Sequence, residues 1–157
     1  MPLTKVISGG QTGADRGALD ASLALGFPCG GWCPEGRRAE DGVIPAAYPV
    51  DELPGAGYRK RTIRNILDSD GTVIFCHNEP VGGSLLTLKQ CQNRGKPHLL
   101  VDMQALSVGA VAAMVAQWVT EQGIAVLNVA GPSEGRAPGT ADYVAAAIRA
   151  LIDAKRR

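Results

Sequence analysis

Short apolar runs alternate with segments of helical periodicity along the whole chain. Strands are predicted at the apolar runs 5–8, 28–32, 72–76, 98–101 and 125–129. Helices are predicted at 14–25, 59–68, 84–93, 108–119 behind a Ser107 cap, and in the amphipathic stretch that includes 143–152. Continuously apolar strands separated by helices are typical of a parallel sheet covered on both faces. The pattern therefore predicts a Rossmann-like three-layer α/β/α domain with a mainly parallel central sheet.

The segment 33–57 does not follow this alternation. It is rich in proline and glycine and has no regular period, and loops of this length are usually functional or disordered. Its charged residues Arg37, Arg38, Glu40 and Asp41 favour an ordered lid or a subunit contact. A solvated insertion is an equally compatible interpretation. Because 157 residues suffice for one domain and are few for two, residues 1–157 are expected to form a single domain.

Composition narrows the class of protein. With 45% hydrophobic and 20% charged residues, the chain is expected to be globular, and a net charge of +1 argues against nucleic-acid binding. No stretch is apolar enough to span a bilayer and no signal-peptide core precedes the first strand, so a cytoplasmic location is expected. The cysteines are then expected to be reduced, and no metal site is expected, because Cys29 and Cys33 lack a second ligand pair.

Glycine-rich loops follow three of the predicted strands, at 8–15, 77–84 and 130–139. Ligands of parallel sheets bind outside the carboxyl ends of the strands, and glycine before a helix lets backbone amides approach an anion. The first loop, G-G-x-x-G, matches neither a P-loop nor the usual dinucleotide fingerprint. Glycine also serves tight turns, but three such loops at one sheet edge favour a site for a phosphate-bearing, nucleotide-like ligand. An anion is expected against residues 9–13.

Charged residues near these loops have more than one possible role. Asp15 starts the first predicted helix, where it either caps the helix or contacts a ribose or pterin. Arginines are candidate oxyanion clamps, although a solvated position is the alternative for each. The arginines concerned are Arg16, Arg37, Arg38 and Arg61. His77 either contacts the ligand or caps a turn.

The motifs resemble a known family. The blocks SGGQTGADRG (8–17), GGWCP (30–34) and GRRAEDG (36–42) resemble the molybdenum-cofactor carrier proteins, also described as the circularly permuted branch of the YpsA-like group within the Smf/DprA–LOG Rossmann superfamily. Further matches include Arg61-Thr62, Gly82-Gly83 and the segment 127–132. The third loop departs from the family pattern, with Ser133 where an arginine is expected.

The resemblance implies a LOG-type ligand-binding domain that carries or stores molybdopterin, a pterin with a terminal phosphate. It also implies a homo-oligomer, either a dimer or a tetramer. The residues expected to bind the ligand are Gly9, Gly10, Gln11, Thr12, Gly13, Asp15, Arg16, Arg37, His77, Gly82, Gly83, Ser84, Thr87, Gly131, Pro132 and Ser133.

Two alternatives to a carrier are a hydrolase and a nucleotide-ligand sensor. LOG relatives are phosphoribohydrolases with a P-G-G-x-G-T-x-x-E motif, and the corresponding stretch 81–89 here, VGGSLLTLK, lacks the glutamate. A glycosidic hydrolase would need another carboxylate near the reacting carbon. By loop position the candidate catalytic residues are Asp15, Glu40 and Asp41.

Overall fold

The structure, a computed structural model, describes residues 2–156 and contains a five-stranded, fully parallel sheet. The strands of this part of the chain are β1 (Lys5–Ile7), β2 (Cys29–Gly30), β3 (Trp32–Cys33), β4 (Arg38–Ala39), β5 (Gly42–Val43), β6 (Asp51–Glu52), β7 (Gly71–Cys76), β8 (His98–Asp102) and β9 (Val126–Ala130). The large sheet has the order β2-β1-β9-β7-β8. Every residue of β7 is buried, in agreement with the apolar run at 73–76.

Helices cover the sheet in two layers. They are α1 (Ala14–Ala24), α2 (Tyr58–Leu67), α3 (Gly82–Arg94), α4 (Val108–Gln122) and α5 (Thr140–Arg156). Helix α5 packs between α1 and α4, and α2 packs against α3. The Ser107 side chain caps α4 as predicted, accepting a bond of 3.2 Å from the Ala110 amide. The Rossmann-like α/β/α prediction is confirmed, and predicted elements lie within a few residues of the observed ones.

The predicted strand 28–32 is broken in the middle. Its first half, β2, joins the large sheet, whereas β3 pairs with β6 in a separate two-stranded sheet. The break lies at Gly31, where φ is +131° and a Cβ atom would overlap the Ser8 carbonyl oxygen. The chain therefore passes so close to β1 that only glycine fits.

The segment 33–57 is ordered and packed on its own chain. Four backbone carbonyls, those of Ile44, Pro45, Tyr48 and Val50, accept hydrogen bonds of 2.8–3.1 Å from the Arg37 guanidinium. The side chains of Ile44 and Val50 are buried in a small core with Leu19 and Cys33. We call this segment the cover, because it lies over the first glycine loop. Most of its residues are nevertheless exposed, so the segment is both packed on the domain and in contact with solvent.

No helix within residues 2–156 has both the length and the apolar character needed to cross a bilayer. The same part of the chain holds no group of three or more His, Cys, Asp or Glu side chains placed to bind a metal ion.

Candidate functional site

The three glycine loops meet at one edge of the sheet, as predicted. They follow β1, β7 and β9, which are adjacent central strands. The sheet continues to β2 beyond β1 on one side and to β8 beyond β7 on the other. In parallel sheets, ligands bind at such a point, where the strand order changes direction. A cavity of about 330 Å³ opens there, which we call the main cavity. It is lined by Gln11, Asp15, Tyr58, Arg61, Thr62, Val81, Gly83, Ser84, Leu86, Thr87, Ala130, Gly131, Pro132, Ser133 and Arg136.

The first loop uses its own amides internally. The Gln11 amide donates to the Asp15 carboxylate at 3.2 Å, and the Thr12 amide donates to the Gln11 side-chain oxygen at 3.0 Å. The amide of Ala14 donates to the carbonyl of Pro132 at 3.1 Å. Since these donors are already satisfied by protein acceptors, the arrangement differs from the expected anion site at residues 9–13.

Packing closes the same loop from outside. The Arg61 guanidinium occupies the space where a Gly9 side chain would point, and Gly10 lies under Ile44 of the cover. Gly13 lies against the backbone of the third loop, where a Cβ atom would overlap the Pro132 carbonyl. These three glycines therefore allow close packing between segments, and none of them lines the main cavity.

Asp15 and Arg61 form a buried ion pair in the wall of the main cavity. The Asp15 Oδ2 atom lies 3.2 Å from Arg61 Nη1, and the side chains are only 8% and 12% exposed. Burial raises the pKa of Asp15, while the Arg61 guanidinium and the Gln11 amide oppose that rise. The Arg61 Nε atom is buried without a hydrogen-bond partner among the described residues.

The second loop leaves the two glycine amides at the start of α3 free. Helix α3 begins after Val81 with neither a side-chain cap nor an acidic residue in its first turn. Within residues 2–156, the amides of Gly82 and Gly83 donate to no protein acceptor. Ser84 is 5% exposed and lines the cavity, and its hydroxyl has no hydrogen-bond partner there either. A helix start with free amides attracts an anion through both hydrogen bonding and the helix dipole.

Arg136 brings a positive charge to the same place. Its Nη2 atom lies 3.0 Å from the position a Cβ would take on Gly82, and it makes no ion pair within the described part of the chain. We call the group formed by Gly82, Gly83, Ser84 and Arg136 the anion seat. Thr87 does not belong to it, because its hydroxyl donates to the Gly83 carbonyl at 2.9 Å.

The charged residues of the cover have partners within the protein. Glu40 accepts hydrogen bonds from the Thr12 hydroxyl and, at 2.7 Å, from the Gly135 amide, and these bonds lower its pKa. Both carboxylate oxygens of Asp41 accept hydrogen bonds from the Arg16 guanidinium, at 2.5 and 2.8 Å, and these bonds lower the pKa of Asp41. Of the three carboxylates predicted as catalytic, only Asp15 lines the main cavity.

Several predicted ligand residues are thus placed as supports around the cavity. The residues Gly9, Gly10, Thr12, Gly13, Arg16 and Arg37 lie outside its lining, together with Gly82, which flanks it. The residues that do line it are Gln11, Asp15, Gly83, Ser84, Thr87, Gly131, Pro132 and Ser133. His77 lies in a smaller neighbouring space.

This smaller space, which we call the side cavity, has a volume of about 120 Å³. Its own lining consists of Cys76, His77, Glu79 and Ala137. It shares four further residues with the main cavity, namely Val81, Ser84, Pro132 and Arg136. Residues at the start of α3 therefore border both cavities.

Sequence reasoning missed part of the lining. Tyr58 and Thr62 reach the cavity from α2, which follows the cover and precedes β7. The pair Arg61-Thr62 was a signal, because it belongs to the family-like blocks. Arg136 was not selected from the sequence. An arginine was expected at the position of Ser133, and Arg136 supplies one three residues later.

A parallel sheet with a polar cavity at the carboxyl ends of its central strands is typical of Rossmann-like α/β/α domains. Comparison with known proteins makes the class specific. The chain belongs to the circularly permutated YpsA SLOG family, whose model matches residues 6–152. This confirms the family predicted from the motifs.

One solved structure is closely similar over nearly the full length. It is the crystal structure of a protein from Syntrophus aciditrophicus SB named "Putative molybdenum carrier protein". The two chains are 42% identical, the match covers 96% of each, and the TM-score is 0.93. No curated protein matches the sequence.

Proposed function

We propose that this protein binds and carries a small phosphate-bearing ligand in the main cavity. The observation that carries the proposal is the anion seat, where an arginine, a serine hydroxyl and two amides lack protein partners within residues 2–156 at an uncapped helix start. The Ser84 residue is largely buried, whereas Gly82, Gly83 and Arg136 are exposed and can be reached by a ligand. A phosphate group would accept from all of them at once.

The ligand class we favour is molybdopterin or a related nucleotide-like compound. The similar protein from Syntrophus aciditrophicus carries molybdenum in its name, and molybdopterin ends in a phosphate. Beyond the anion seat the cavity offers hydrogen-bonding side chains on Gln11 and Thr62 and an aromatic ring on Tyr58. A volume of about 330 Å³ lies at the small end of the range for small-molecule sites.

Binding should depend on Arg136. A hydrogen bond to a charged group contributes about 1.5–3 kcal/mol, so Arg136→Ala should weaken binding of GMP or AMP roughly 10- to 100-fold. The matched control is Arg94→Ala, since Arg94 is also an exposed arginine without an ion pair within residues 2–156 and lies at the opposite end of α3. Isothermal titration calorimetry measures both. Equal affinities in the two variants would place the ligand elsewhere.

The identity of the natural ligand is tested by mass spectrometry of small molecules released from purified protein. We expect a phosphate-bearing pterin or nucleotide derivative in the wild type and its depletion in Arg136→Ala. A released compound without phosphate would contradict the proposal.

A hydrolase is the second candidate, favoured by one observation. Asp15 lines the cavity, and a carboxylate whose pKa is raised by burial is a typical general base. Against this role, its carboxylate is already engaged by Arg61 and Gln11. We expect negligible release of ribose 5-phosphate from AMP, GMP or CMP. Robust turnover that Asp15→Asn removes would establish the enzyme instead.

We also propose that the protein forms a homo-oligomer, a dimer or a tetramer. Between α1 and α5 runs an open groove lined by five alanines, three aspartates and Arg149, and the small alanine side chains would let a neighbouring subunit approach closely. Light scattering at tens of micromolar is expected to give a mass above 16.3 kDa. A monomeric mass would contradict this proposal and leave ligand binding untouched.

A further inference from the structure

The anion seat lies between two cavities, and this position restricts the ligand. The main cavity of about 330 Å³ and the side cavity of about 120 Å³ share Ser84 and Arg136, together with Val81 and Pro132. An anion held by Ser84 and Arg136 therefore borders both cavities.

We propose that the ligand is a two-part molecule whose diphosphate is esterified at both ends, as in a nucleoside diphosphate joined to a further ring. The bridging diphosphate occupies the anion seat, the larger part fills the main cavity and the smaller part fills the side cavity. A monophosphate would end at the seat and leave one cavity without contacts. This inference rests on the proposed function, since it assumes that the seat holds a phosphate.

The Ser84 side chain carries this inference further than the helix start alone does. The residue is 5% exposed, its hydroxyl has no partner within residues 2–156, and it lines both cavities. A buried hydroxyl at that junction can reach a phosphate oxygen whichever cavity holds the rest of the ligand. Arg136 lines both cavities in the same way.

The side cavity suits a small ring with hydroxyl groups. Its walls combine the buried Cys76 and Ala137 with the polar side chains of His77 and Glu79. The turn that carries these two polar residues is held in place, because the Asn78 amide donates to the Asp102 carboxylate at 2.9 Å. A carboxylate and an imidazole beside each other accept from, and donate to, the hydroxyls of a sugar-sized group.

The test compares ligands that share a nucleoside 5′-phosphate and differ in what is attached to that phosphate. Calorimetry on the full chain uses AMP, ADP and ADP-ribose, and in parallel GMP, GDP and GDP-mannose. We expect the doubly esterified member of one series to bind at least tenfold more tightly than its mono- and diphosphate. Equal or weaker binding of that member would overturn the inference while the proposed function stands. If no phosphate compound binds, both fail.

Variants of the side cavity separate its contribution. Ala137→Phe fills the space and should remove the gain of the doubly esterified ligand, with the affinity for the monophosphate unchanged within about twofold. Because a buried substitution can disturb folding, Glu79→Ala serves as a second variant on an exposed residue and should reduce the same gain. Its control is Glu35→Ala, on the exposed cover. A gain that survives in both Ala137→Phe and Glu79→Ala would overturn the inference.

Discussion

Replacing Gly13 by alanine should strongly destabilise the fold. Gly13 precedes α1 with φ 80° and ψ −126°, a conformation that side chains rarely adopt. An added Cβ would overlap the Pro132 carbonyl and lie 2.7 Å from the Glu134 amide nitrogen. Both neighbours are backbone atoms, so neither moves without displacing the third loop.

The expected loss follows from these two causes. A strained backbone conformation costs about 1–3 kcal/mol, and forcing extra volume into a packed contact costs about 1–3 kcal/mol more. The free energy of unfolding should therefore fall by about 2–6 kcal/mol, a large share of the roughly 5–15 kcal/mol typical of a domain. For a chain of this size, each kcal/mol lowers Tm by roughly 2–4 °C.

Urea denaturation followed by circular dichroism measures the loss. The matched control is Gly109→Ala in α4, where a Cβ would meet nothing within 4 Å and φ is not positive. That variant should be neutral or up to about 1 kcal/mol more stable. A Gly13→Ala protein within about 1 kcal/mol of the wild type would refute the close contact of the first and third loops. For the same reason Gly13→Asp cannot serve as a binding test, because loss of binding would follow from loss of the fold.

Three further predictions concern the cover and the thiols. Arg37→Ala removes the hydrogen bonds to four cover carbonyls and should lower the free energy of unfolding by about 2–4 kcal/mol. The rate of amide hydrogen exchange should rise across 44–50, and an unchanged rate there would contradict this prediction. The pKa of Glu40 is lowered in the folded state, so the ionised carboxylate stabilises the fold at neutral pH and this effect disappears as the pH falls through that pKa. The difference in Tm between wild type and Glu40→Gln should therefore narrow on acidification. A difference that widens would contradict the direction of the pKa shift. With a thiol-specific reagent at mildly alkaline pH, the half-buried Cys29 should react before the buried Cys33, Cys76 and Cys91. Earlier reaction of one of these three would contradict the burial of that cysteine.

Local patterns in the sequence were sufficient to predict the elements and the place of the site. The apolar run of β7 and the amphipathic stripe of α5 each report their own burial. Glycine loops after parallel strands must meet at one sheet edge, and this alone locates the cavity. The motif blocks identified the family correctly.

The sequence could not show which donors are free. Asp15 is satisfied by Arg61, 46 residues away, and Glu40 by the Gly135 amide, 95 residues away. Such pairings depend on the completed fold and cannot be read from the sequence. The first loop was therefore expected to bind an anion, whereas the Asp15 carboxylate accepts the Gln11 amide hydrogen bond itself. Arg37 was selected for its charge, whereas its surroundings make it a clamp for the cover. The sequence gives the charge of an arginine, but it does not show which groups the guanidinium contacts in the fold.

The place of β9 in the sheet has a consequence for how the protein folds. β9 comes last among the strands along the chain but pairs with both β1 and β7, and its partner in the β1 register is 121 residues away. Without β9, β1–β2 and β7–β8 are two separate ribbons with open inner edges, which are templates for wrong association. Contacts of such long sequence separation make folding slow.

The main cavity has no complete wall until that strand is inserted, because one wall is the loop that follows it. Ligand binding and strand insertion are therefore thermodynamically linked, and a ligand favours the inserted state by RT ln(1 + [L]/Kd). A chain that folds in the presence of a compound that binds this cavity should thus spend less time as two exposed ribbons than one that folds without it.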